Sequence, residues 1–143
     1  MHRFVVTGMI AAFCAVMSVN AYGKDAARPA AAALPKDMAP SAVAGEYKRD
    51  IVGQPGTLTV KPAGANRIDV KLDARLDSGG RKGKGVSGGV LKLVKNVAVL
   101  QNKGNGAEYS ISIRFMGKTA VLFYDGKGFG DAGVDPSGVY RRK

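Results

Sequence analysis

DGKGFGDAGVDPSGVYRRK, residues Asp125 to Lys143, is the stretch that decides how this chain folds. A run of turn-forming residues ends in Gly138-Val139-Tyr140-Arg141-Arg142. That ending echoes Gly45-Glu46-Tyr47-Lys48-Arg49, where alternating sequence first begins. Two short Gly-x-Tyr-basic-basic segments at opposite ends predict a first and a last strand lying side by side. Such pairing closes a sheet into a barrel and removes its exposed edges.

Upstream of this ending the pattern is that of short strands. Ala107 to Phe115 places Tyr109, Ile111, Ile113 and Phe115 on one side and Ser110, Ser112 and Arg114 on the other. Met116-Gly117 turns the chain into Lys118 to Tyr124, and Asn102 to Gly106 carries the Asn-Gly pair of a tight hairpin. Arg67 to Leu76 is the clearest segment: Ile68, Val70, Leu72, Ala74 and Leu76 alternate with Asp69, Lys71, Asp73 and Arg75. Period two gives a strand with one dry and one wet face, whereas a helix would scatter these residues around its axis. Glu46 to Ile51, with Tyr47 inward, and Thr57 to Lys61, with Leu58 and Val60 on one side, precede it.

Asp77 to Gly89, DSGGRKGKGVSGG, reads as a mobile Gly-rich loop carrying Arg81, Lys82 and Lys84. Val90 to Val94 and Val97 to Gln101 follow as two strands or one bent strand, because Lys95-Asn96 is a weak turn. The result is an all-β domain of about eight antiparallel strands with no persuasive helix. The echo of the terminal strands selects a small up-and-down β-barrel, lipocalin-like in its connections, over a sandwich. Inward residues are mostly Leu, Ile, Val, Tyr and Phe, so the barrel is expected to be filled by its own side chains.

The N-terminal part has a different character. Met1 to Ala21 reads as a secretory signal peptide, with His2 and Arg3 before an apolar run and Val19-Asn20-Ala21 before the cleavage point. Phe13 before Cys14 speaks against a lipoprotein signal. The apolar run is shorter than the ~20 residues a membrane span needs, so the protein is expected to be periplasmic or secreted and not integral to the membrane. Tyr22 to Ala44 is an Ala/Pro-rich linker interrupted by Pro29, Pro35 and Pro40, leaving residues 45–143 for the barrel.

Cleavage would remove the only cysteine and the only histidine of the 143 residues. That excludes Ser-His-Asp and Cys-His nucleophiles, zinc sites built on imidazole or thiolate, and disulfide stabilisation. A net charge of +11 favours anionic partners. Export makes nucleic acid the least expected of them, and no aromatic residues interleave with the cations of the basic loop for bases to stack on.

Candidate chemistry is sparse. Asp69 and Asp73 share a strand face about 13 Å apart, beyond the roughly 5–10 Å of a glycosidase acid pair. No catalytic residues are therefore assigned, and no enzyme activity. Asp125, Asp131 and Asp135 share a Gly-rich loop, but their spacing departs from the calcium loop and Lys127 lies among them, so they read as turn caps. Neither metal nor cofactor is expected. The basic loop, Arg81, Lys82 and Lys84, reads as an anion-binding surface, with Gly83 and Gly85 letting the backbone approach a partner.

Ser137-Gly138-Val139-Tyr140 resembles the Ser-Gly-x-Tyr motif of exported bacterial β-barrels that inhibit lysozyme. The signal peptide, the domain size and the Gly-Phe-Gly…Gly-x-Tyr ending are similar to that group and to immunity proteins against peptidoglycan-cutting toxins. The mature chain departs from those inhibitors in having no disulfides. The resemblance implies a protein that occludes the acidic cleft of a peptidoglycan hydrolase, with Ser137 and Tyr140 as motif residues and the basic loop as a second contact. The alternative expectation is a cell-envelope module that binds acidic glycan or anionic lipid through Arg81, Lys82 and Lys84.

Overall fold

The computed structural model describes residues 37–143. The expected signal peptide and the expected linker as far as residue 36 lie outside the described residues. A single turn of helix, α1 (Pro40–Val43), precedes eight strands: β1 (Gly45–Arg49), β2 (Gly56–Pro62), β3 (Arg67–Ser78), β4 (Arg81–Lys92), β5 (Val97–Gly104), β6 (Ala107–Met116), β7 (Thr119–Lys127) and β8 (Gly138–Arg142). Every pairing is antiparallel, in the order β4-β3-β2-β1-β8-β7-β6-β5. The molecule is a nearly closed eight-stranded barrel. No helix among the described residues is long and apolar enough to cross a membrane.

Period two fixes the inner face. Ile68, Val70, Leu72, Ala74 and Leu76 of β3 are buried, as are Tyr109, Ile111, Ile113 and Phe115 of β6. Each such aliphatic residue contributes roughly 1.5–3 kcal/mol by leaving water, and together they fill the interior. The hairpins close with left-handed residues at their tips: Gly79 and Gly80 join β3 to β4 with φ of 60° and 75°, and Asn105-Gly106 joins β5 to β6 with 51° and 78°. These are the conformations whose twist matches paired strands.

The first and last strands pair as the echo predicts, Tyr47 opposite Arg142 and Lys48 opposite Arg141. Closure is nevertheless incomplete, and the edges reappear elsewhere. Val94 and Val97 form one bridge across the turn after β4, and beyond it β4 and β5 do not pair. The physical reason lies in β4 and in the segment between β7 and β8. Asp77 to Gly89, expected as a loop, is mostly strand, paired residue for residue with β3 from Arg81 to Lys92. Its inner positions Gly83 and Gly85 have no side chains, and Val134 and Phe129 occupy that space. Asp131 completes the contact: its amide donates to Lys84 O (3.0 Å), and its Oδ2 accepts from Lys84 N (2.8 Å). The segment thus holds the hydrogen-bonding positions that β5 would need at that end.

Both barrel ends are stoppered. At one, the Met38 amide donates to Lys95 O (2.9 Å) and Val43 is fully buried. The packed unit therefore starts before Gly45, inside the stretch expected to be linker, because α1 covers apolar surface that the strands leave open. At the other, Phe129 meets Tyr109 edge-on and Tyr124 at a tilt, with centroids 5.7 and 6.0 Å apart.

Candidate functional site

The Tyr-x-Arg echo has a structural meaning that alternation alone implies. In β1 and β8 each arginine lies two residues after a tyrosine, on the same inward face. Register then sets the arginine of one strand against the tyrosine of the other. The Arg142 guanidinium lies 5.3 Å from the Tyr47 ring centroid, and that of Arg49 lies 5.5 Å from the Tyr140 ring. Tyr47 donates to Val43 O (2.8 Å) and Tyr140 to Pro136 O (3.0 Å), each to a carbonyl four residues back.

Arg49 is the one charged residue in the core of the described domain, 1% exposed. It makes no ion pair among the described residues. Its Nη1 donates to Ser137 O and to Asp135 O (2.8 Å), while Nε and Nη2 have no partner among the described residues. Carbonyl dipoles and the face of Tyr140 therefore offset the charge. Reading Tyr47 alone as inward overlooked Arg49, although the Tyr-x-Arg spacing was the signal that would have found it.

Of the residues carrying the inhibitor resemblance, Tyr140 is thus held inside the barrel wall and Ser137 is half-buried where the chain enters β8. Tyr140 is 0% exposed. Ser137 Oγ accepts from the Tyr124 amide (3.1 Å), and the Ser137 amide donates to Asp135 Oδ1 (2.8 Å). In this conformation Tyr140 has no surface with which to touch another protein. Asp131 and Asp135 are likewise engaged with backbone amides, and no group of three or more acidic, His or Cys side chains gathers among the described residues.

Burial pushes the Tyr140 phenol up to about 12 from 10.0, with Arg49 opposing the rise. The folded state therefore holds this proton more tightly than the unfolded chain. Its contribution is complete below pH 10.0 and is lost as pH rises through about 12. Alkaline denaturation followed by tyrosinate absorbance should show roughly 2–3 kcal/mol of stability disappearing across that window, and Tyr140→Phe should flatten it.

The three basic residues of the expected loop do not form one patch. Lys82 and Lys84 project from the outer face of β4, opposite Asp77 and Arg75 of β3. Arg81 lies on the other face, near Gly133 at the barrel mouth. The stronger concentration of cations arises from register. Lys48 of β1 faces Thr57 of β2, Thr57 faces Asp73 of β3, and Thr59 faces Lys71. The small threonines leave a groove of about 460 Å³ bordered by Lys48, Lys71, Arg75, Asp73 and Asp50. Asp73 holds Arg75 (3.3 Å) and Lys84 (3.4 Å). Lys48 and Lys71 make no ion pair among the described residues, and Arg141 lies beside Lys48 across the β1–β8 junction. At the far end of β1, Glu46 is held below the usual carboxylate range, first by its hydrogen bond from Lys143.

Fold and surface together define an antiparallel barrel whose core, among the described residues, is packed with its own side chains. Comparison with protein-family models, with curated proteins and with solved structures returns no match.

Proposed function

We propose that this chain is a non-catalytic binding module of the bacterial cell envelope that takes an acidic glycan across the outer face of β1, β2 and β3. The observation that carries the reading is the groove: Lys48 and Lys71, which make no ion pair among the described residues, flank a floor of threonine side chains. Cations supply long-range attraction to a polyanion, and hydroxyls supply hydrogen bonds suited to sugars. A concave site between strands suits a linear chain better than a flat lipid surface, which calls for a projecting cationic face.

The reading as an inhibitor of a peptidoglycan hydrolase moves to this same surface. Ser137 and Tyr140 no longer support it, since both serve the β8 junction. An acidic enzyme cleft would have to meet the outward lysines.

Titration with alginate, a uronate polysaccharide, tests the proposal. Binding should weaken steeply from low to physiological salt, where the Debye length is about 8 Å. Lys48→Glu with Lys71→Glu should lower affinity at least about tenfold and leave the melting temperature in place, since both side chains stand on the wet face. Salt-independent binding, or a double variant that binds as the parent does, would sink the idea. A muramidase lysis assay on the same two proteins separates the alternatives. Inhibition by the parent that is lost in the variant assigns the surface to a protein cleft.

A further inference from the structure

The open edge of β4 carries a pattern of its own. Lys84 turns its amide and carbonyl away from β3 toward Asp131, and Val94, at the other end, turns toward Val97. The β3–β4 register runs without a bulge between Arg67↔Lys92 and Ser78↔Arg81. Main-chain groups alternate sides along a strand, so those of Val86, Gly88, Val90 and Lys92 also face away from β3. They have no backbone partner among the described residues. The side chains of these same residues stand on the outer face, where Val86 is 50% and Val90 59% exposed between Lys84 and Lys92. Val94 and Val99 extend the apolar stripe along the gap.

An unpaired strand edge with an apolar centre is a template for another strand. The charges say which kind. Asp131 already holds the main-chain groups of Lys84, so the open run is Val86 to Lys92, and a second copy paired antiparallel about Gly88 would drive its own Lys92 against that occupied, cationic end. An incoming segment with an acid opposite Lys92 gains an ion pair there. We infer that the β4 edge accepts, as an added antiparallel strand, an extended segment of a partner protein that is apolar opposite Val86 and Val90 and acidic opposite Lys92. This site rests on unpaired main-chain groups and is independent of the lysine groove.

The probe is a blocked heptapeptide with glutamate at its first position, opposite Lys92, and alternating alanine and valine after it, together with its version N-methylated on the residues that would face β4. In the free protein the amides of Val86, Gly88 and Val90 should exchange rapidly with solvent. Saturating peptide should slow them at least about tenfold, the N-methylated peptide should not, and Val86→Lys with Val90→Lys should abolish the effect. Amides already protected in the free protein would mean that β4 and β5 pair with each other in solution, which overturns the proposal. Protection that grows with protein concentration alone assigns the edge to a second copy and overturns it too. So does equal binding of the N-methylated peptide, or no protection at millimolar peptide.

Discussion

Tyr140→Ala should lower the unfolding free energy by about 3–5 kcal/mol, the largest effect expected of any single truncation in the terminal strands. The ring is completely buried and lies under the Arg49 guanidinium, 5.5 Å from its centroid. Removing it opens a cavity and also deprives a buried cation of the aromatic face that offsets its charge. Tyr140→Phe keeps that face and gives up only the hydrogen bond to Pro136 O, so it should cost about 1 kcal/mol. Denaturant unfolding of the two variants checks both figures. It also distinguishes a barrel-wall tyrosine from a recognition residue: if Tyr140→Ala keeps its stability but fails to bind a partner, the structural role assigned here is wrong.

Gly85→Val should unseat the segment between β7 and β8. A Cβ at Gly85 would meet Phe129 Cε1 at 2.5 Å and Cδ1 at 2.7 Å, against a ring already packed on Tyr109 and Tyr124. Neither side can give way freely, because Phe129 plugs the barrel mouth and β4 is paired to β3 along its length. Overpacking of this kind costs about 1–3 kcal/mol, and expelling Phe129 would forfeit its burial as well. The segment should become protease-sensitive between Gly128 and Ser137 while β2 and β3 stay protected from hydrogen exchange. Phe129→Ala removes the ring that valine strikes. The double variant should therefore be less destabilised than the sum of the two single ones, by roughly 0.5–3 kcal/mol of coupling. Simple additivity would show that the two residues do not share this space.

A large part of the architecture was legible one residue at a time. The alternation in Arg67–Ser78 and Ala107–Met116 is covalent information: period two with an apolar set admits one inward face whatever lies opposite. Asn105-Gly106 announces its own turn by tolerating the left-handed conformation. The paired Gly-x-Tyr-basic-basic segments announced that the first and last strands meet, because two strands of the same composition suit the same environment. The site was less legible. Arg81, Lys82 and Lys84 looked like one basic loop, yet pairing with β3 sends Lys82 and Lys84 to the outer face and Arg81 to the mouth. Ser137 and Tyr140 carried a motif for recognition and prove to hold the wall together.

By itself, then, the amino-acid order determined the strands other than most of β4, their dry faces, the meeting of β1 with β8, and the absence of imidazole and thiol chemistry outside the expected signal peptide. Only the tertiary structure decided where the barrel stays open and which cations become neighbours. Glycine carries no hydrophobic pattern, so Gly83 and Gly85 could not reveal that β4 is a strand, or that its bare inner face admits Phe129 and Val134. Lys48 and Lys71, far apart in the chain, come together through the register of three strands, and register is set by long-range packing that no local stretch of sequence contains.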